Sequence, residues 1–158
     1  MLSDFFEAIR RGDVDAVQRL LAQDPSLLNA HDAKGFTPLI IAAYNDQPDA
    51  AKALLDAGAL PDAGDMAGNT ALMGAAFKGY EAIVQLLLEA GADVNVRNGQ
   101  GANALTFAAT FGQLSIARLL LERGADRYAP DSRGKTPLDH AVIQENLAMV
   151  ELIEGWKE

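Results

Sequence analysis

The sequence predicts an all-α solenoid, a stack of helix-turn-helix units joined by tight, hairpin-like turns. Three observations carry that prediction. The triplets Thr37-Pro38-Leu39, Thr70-Ala71-Leu72, Asn103-Ala104-Leu105 and Thr136-Pro137-Leu138 recur 33 residues apart. Other positions keep the same register. Asp32, Asp65, Asn98 and Asp131 precede Gly35, Gly68, Gly101 and Gly134, and Ala42-Ala43, Ala75-Ala76, Ala108-Ala109 and Ala141-Val142 follow each triplet. A fixed period of this size marks one supersecondary unit copied along the chain. Finally, the second half of each unit has helical spacing: Ile83, Val84, Leu87 and Leu88 form one apolar stripe, and Ile116, Ala117, Leu120 and Leu121 repeat it. No stretch alternates strictly enough to read as a half-buried strand.

The elements follow in order. Residues 1–31 lack the periodic turn and open with Ser3 or Asp4 as the expected N-cap before Phe5, Phe6 and Ile9. Their second helix runs to Asp24-Pro25-Ser26. Each later unit begins at an Asp or Asn, whose side chain can bond the backbone two residues on. A Gly follows, suited to positive φ. Thr37, Thr70, Asn103 and Thr136 are N-caps for a short helix, with Pro38 and Pro137 at the first helical position, where no donor is missed. Paired alanines allow close helix packing. Gly58, Gly91 and Gly124 are expected to end the longer helix. In the second unit Asp46-Gln47-Pro48 stands where a Gly turn is expected. The last helix should turn Met149, Val150, Leu152 and Ile153 inward, and Trp156 should seal it against its neighbour. The reading is one domain, 1–158, with units at about 1–31, 32–64, 65–97, 98–130 and 131–158, the first and last being caps.

At these residues the chain resembles the ankyrin repeat family, whose pattern is roughly Asp-x-x-Gly-x-Thr-Pro-Leu-His-x-Ala-Ala, then x-x-Gly, an apolar helix and Gly-Ala-Asp. Residues 65–97 match most closely, through Gly68-Asn69-Thr70, Ala75-Ala76, Gly79, Leu86-Leu87-Leu88 and Gly91-Ala92-Asp93. The histidine after Leu is replaced by Ile40, Met73, Thr106 and Asp139. In the family that histidine ties neighbouring repeats together, so the resemblance does not supply those bonds here. It implies a protein–protein interaction module that binds through a concave face formed by turn tips and short helices. It implies no cofactor.

Composition bounds the rest. A chain of 158 residues fits one domain, and a hydrophobic fraction of 49% supports a continuous core. No apolar run approaches a membrane span. Met1 leads almost directly into the first helix, so no signal peptide is expected and the cytoplasm is the expected location. The absence of Cys excludes disulfides, thiolate catalysis and thiolate metal sites. With 13 Lys and Arg against 22 Asp and Glu, the net charge of −9 disfavours nucleic acid and anionic membranes as partners.

Catalytic chemistry is not legible. His140 stands beside Asp139, but adjacent helical residues do not face each other. His31 lies far from it along the stack, which argues against a shared metal site. Gly99-Gln100-Gly101 follows no strand and reads as a turn. No nucleophile motif or zinc-ligand spacing is present. The expectation is therefore a protein that is not an enzyme.

The concave face implied by the resemblance has specific residues. The tips are Ala33, Lys34 and Phe36, then Met66, Ala67 and Asn69, then Gly99, Gln100 and Ala102, then Ser132, Arg133 and Lys135. The short-helix ends are Arg10 and Arg11, Tyr44 and Asn45, Phe77 and Lys78, Thr110 and Phe111, Ile143 and Gln144. Tyr44, Phe77 and Phe111 come from successive units and should run in a row, as interface anchors or as rings folded back between short helices. Every charged residue in the set (Arg10, Arg11, Lys34, Lys78, Arg133 and Lys135) is basic, which suits an acidic protein surface or peptide. Capped ends favour a monomer. Two other readings use the same features: an inhibitor or immunity-type protein blocking an enzyme or toxin, and a small-molecule binder or enzyme using a groove around Tyr44 and His31.

Overall fold

The computed structural model describes residues 1–158 and contains ten α-helices, one 3-10 turn and no strand. The helices come in five pairs. They are α1 (Leu2–Arg11) with α2 (Val14–Gln23), α3 (Pro38–Tyr44) with α4 (Pro48–Asp56), α5 (Ala71–Lys78) with α6 (Glu81–Glu89), α7 (Ala104–Thr110) with α8 (Leu114–Glu122), and α9 (Pro137–Ile143) with α10 (Leu147–Glu154). The first helices form one layer, α1 to α3 to α5 to α7 to α9, and the second helices form another, α2 to α4 to α6 to α8 to α10. The alanine pairs Ala42-Ala43, Ala75-Ala76 and Ala108-Ala109 lie fully buried in the first layer, where their small side chains let the short helices approach. The stripes read from the sequence (Ile83, Val84, Leu87 and Leu88, then Ile116, Ala117, Leu120 and Leu121) are buried between the layers in one continuous core.

Local chemistry explains why each short helix starts where it does. The Oγ1 atoms of Thr37, Thr70 and Thr136, and Oδ1 of Asn103, accept from the backbone N–H three residues on. In three repeats the partner residue returns the bond. Met73 Sδ, Thr106 Oγ1 and Asp139 Oδ2 accept from the N-cap backbone N–H, closing capping boxes. Three of the four positions that lack the family histidine thus serve the helix start instead, and the fourth, Ile40, is buried in the core.

Other side chains bind neighbouring repeats together. Turn backbones link from Met66 N–H to Lys34 O, Gly99 N–H to Ala67 O and Ser132 N–H to Gln100 O, the last at 2.8 Å. Asn98 donates to Asn69 Oδ1 at 2.8 Å, and Gln47 and Gln113 reach back to Arg10 O and Phe77 O in the preceding unit. Asp62 and Asn95 each accept from a backbone N–H one unit further on, those of Asp93 and Asp126. Packing at the turns is tight: a Cβ on Gly35, where φ is 79°, would lie 2.9 Å from Met66 N.

The ends depart from the sequence reading in specific ways. Helix α1 begins at Leu2 with Met1 as its N-cap, so Ser3 and Asp4 lie inside the first turn. The Phe5 N–H bonds Met1 O, and the Asp4 carboxylate sits where the helix dipole favours a negative charge. Asp24-Pro25-Ser26 opens a 3-10 turn, Pro25–Asn29, with Asp24 capping Ser26 N–H. In α10, Met149 and Ile153 are buried, whereas Val150 and Leu152 pack on the core but are only half-buried, Leu152 lining a surface groove beside α8. Half-buried Trp156 packs on the core and shares a surface groove with Leu114 and Arg118 of α8. The Gly turn missing at Asp46 is built anyway: Asp46 and Glu145 adopt φ of 52° and 55°, the left-handed conformation that Gly12, Gly79 and Gly112 take in the other units. No helix is long and apolar enough to cross a membrane.

Candidate functional site

The turn tips and the C-terminal ends of the short helices meet at two depressions, one lined by Arg10, Phe36, Tyr44 and Asn45 and one by Gln100, Thr110, Phe111 and Arg133, and most of the sequence-predicted site residues are exposed. Arg10, Arg11, Lys34, Asn45, Met66, Phe77, Lys78, Gln100, Phe111, Arg133, Lys135, Ile143 and Gln144 are exposed, while Phe36, Tyr44, Asn69 and Thr110 are half-buried. Of the named tips, Ala102 is an exception and lies buried beneath its turn, where its N–H is held by Asn98 Oδ1. Three of the polar candidates are partly engaged within the protein. Asn45 donates to Ile41 O, Thr110 Oγ1 donates to Thr106 O, and Asn69 accepts from Asn98.

The aromatic residues organise as two pairs. Phe77 and Phe111 meet edge to face at 4.6 Å between centroids and remain 37% and 49% exposed. Tyr44 pairs with Phe36 at 5.9 Å, and its ring lies against Gly74, where an added Cβ would stand 3.0 Å from Cζ. Glycine at that one helical position makes room for the ring. Burial and the nearby Asp65 carboxylate raise the Tyr44 phenol pKa. Tyr44 and His31 do not share a groove. Tyr44 lines a depression of about 200 Å³ with Arg10, Phe36, Ile41 and Asn45, whereas His31 lines a separate one with Leu28, Leu39, Leu60 and Met66. The two are held on different sides of the Phe36 turn.

The charged candidates differ in their pairing. Arg10 and Arg11 have carboxylate neighbours, Glu7 at 3.7 Å and Asp13 at 3.5 Å, both on the surface. Lys34, Lys78, Arg133 and Lys135 form no ion pair, although the Lys135 charge is among the influences that hold the Asp139 carboxyl pKa down.

A polar pocket of about 430 Å³ opens on this surface between the fourth and fifth helix pairs. Its lining includes Gln100, Phe107, Thr110 and Phe111 from one unit and Asp131, Arg133 and His140 from the next. Here the structure reveals a pair that adjacency along the sequence does not. His140 bonds Asp131 through Nε2 at 2.7 Å, while Asp139 closes its capping box with Thr136. An ionised carboxylate only accepts, so Nε2 carries the proton. Asp131 also accepts from the Lys135 and Arg133 backbone N–H groups through Oδ1. The Lys135 backbone bond, followed by the His140 bond, holds the Asp131 carboxyl pKa down at about 2. The usable sequence signal would have been the nine-residue step from the turn Asp into the next short helix, but no other unit has a His there. No group of three His, Cys, Asp or Glu side chains is placed to hold a metal ion.

These features define a class: a helical repeat solenoid that displays side chains from successive units on one surface. The family models agree. One described as ankyrin repeats (3 copies) matches residues 5–98, and one described as ankyrin repeats (many copies) matches residues 87–141. This chain belongs to the ankyrin-repeat family. Among curated proteins it is similar to the palmitoyltransferase akr1 of Aspergillus oryzae, with 43% identity over 56 residues. That match spans 35% of this chain and 8% of the fungal protein. Ankyrin repeats are in general interaction modules without catalytic chemistry of their own, and this chain is an ankyrin-repeat protein-interaction module.

Proposed function

We propose that the protein captures an acidic surface or peptide of another protein on the face that carries Phe77, Phe111 and the turn tips. The observation that carries this reading is the exposed Phe77–Phe111 pair, accompanied by exposed Lys34, Lys78, Arg133 and Lys135, which form no ion pair. Exposed aromatic rings are the side chains on which interface energy concentrates. Unpaired basic groups raise the rate of encounter with an acidic partner. A surface built on packed helices is preformed, so little order is lost on docking. In this reading the protein is a five-repeat, single-domain monomer of the cytoplasm and is not an enzyme. The palmitoyltransferase resemblance concerns shared repeats and brings no transferase activity with it.

The experiment is affinity capture from the native source, with Phe77→Ala/Phe111→Ala as the control. The captured partner should disappear from the double variant while its circular-dichroism melt stays within a few degrees of the parent. Undiminished capture would overturn the proposal. A large fall in the melt would assign the two rings to packing instead.

A further inference from the structure

The pocket between the fourth and fifth helix pairs exists because two ring positions are vacant there. In the second unit Phe36 and Tyr44 fill the corresponding groove and pack on each other at 5.9 Å. Two periods later the same positions hold Ala102 and Thr110. The vacated space has flat walls, Phe107 and Phe111, and a polar rim, Gln100, Ser132 and Arg133. The rim side chains make no hydrogen bond or ion pair within the protein, although the Gln100, Ser132 and Arg133 backbone N–H groups are all engaged in the turn. Asp131, the acid of this pocket, is already committed: its two oxygens take three N–H donors from Arg133, Lys135 and His140. The donors that remain free are therefore those of Arg133, Gln100 and Ser132.

We infer that this pocket receives one carboxylate-bearing side chain of the partner polypeptide, its stem between Phe107 and Phe111 and its carboxylate on Arg133 and Gln100. Such a group supplies the charge that the free guanidinium lacks and the acceptor oxygens that match its planar fork. An apolar neighbour on either side of the acid would rest on the ring walls. The inference deepens the proposed function by naming the partner residue that one part of the same face selects. It rests on that reading for its biological sense.

The test uses the full chain, labelled with nitrogen-15, and two capped tripeptides, Phe-Glu-Phe and Phe-Gln-Phe. The Glu peptide should shift the amide signals of Gln100, Ser132, Arg133 and His140. It should bind about threefold to fivefold more tightly than the Gln peptide, the worth of one partly exposed ion pair. Arg133→Gln should erase the preference, since its backbone N–H still holds the turn. Thr110→Tyr, which puts a ring against His140 where Tyr44 has Gly74 opposite it, should close the pocket to both peptides. Equal binding of the two peptides, a preference that survives Arg133→Gln, or no shift at these four residues would each overturn the inference. Loss of the pocket result with capture still dependent on Phe77 and Phe111 would leave the proposed function standing. Loss of capture with the peptide preference intact would do the reverse.

Discussion

Arg127 closes the C-terminal end of the stack, and its replacement is the most informative perturbation of stability. The residue sits between the fourth and fifth helix pairs, where the preceding unit has Val94. Its Nη1 donates to Ile153 O at 2.7 Å and to Glu154 O at 3.3 Å, the terminal carbonyls of α10, and its guanidinium lies 5.1 Å from the Tyr128 ring centroid. A cation here meets the last carbonyls of the helix, of which Ile153 O also accepts from the Trp156 N–H at 3.4 Å, and the helix's negative end. Arg127→Met keeps the apolar stem and removes these bonds. The charge-assisted bond to Ile153 is worth about 1.5–3 kcal/mol. Arg127 Nε is buried without a partner, so losing it returns part of that cost. The net destabilisation is about 1–2 kcal/mol, concentrated on α10. Trp156 is the single tryptophan and lies just beyond α10, so its fluorescence reports that end, while far-ultraviolet circular dichroism reports all ten helices. In urea, Arg127→Met should move the fluorescence midpoint to lower denaturant by more than the dichroism midpoint, because repeat stacks open from their ends. Unchanged midpoints, or two that shift together by the same amount, would refute the assignment of Arg127 as the clamp on α10.

Glu145 occupies left-handed backbone at φ 55°, which costs an ordinary side chain about 1 kcal/mol; Glu145→Gly should raise the melting temperature by about 1–3 °C, and Asp46→Gly by less because Asp tolerates this region. Gly35→Ala combines φ of 79° with a Cβ 2.9 Å from Met66 N, so it should destabilise by at least about 1–2 kcal/mol in denaturant titration. The Asp131 carboxyl is depressed to about 2, so its native bonds stabilise the fold fully above the ordinary carboxylate pKa and lose that contribution as pH falls toward 2. A melt series from pH 5 to pH 2 should therefore fall less steeply in Asp131→Asn than in the parent.

The positions that repeat were legible because their work is local. Thr37, Thr70, Asn103 and Thr136 cap the helix that begins one residue later, and their bonding partner lies three residues on whatever the rest of the chain does. The stripe Ile83, Val84, Leu87 and Leu88 follows from helical geometry alone, and the 33-residue register orders the stack. From these the sequence determined the fold.

Tertiary structure decided which of those side chains meet. Tyr44 turned onto Phe36 because Gly74, one unit away, left room for its ring, while Phe77 found Phe111. His140 took Asp131 as its partner while its sequence neighbour Asp139 was held by the capping box. Arg127 found the end of α10 across a span of 26 residues. In the aromatic pairs and at Arg127 the outcome turned on the volume and free bonding groups of the adjacent unit, and for His140 on the turn Asp of its own unit, each at a position where the period is broken. A repeat specifies its own helices through short-range bonds, but the contacts between unlike residues in neighbouring repeats exist only once the two are stacked.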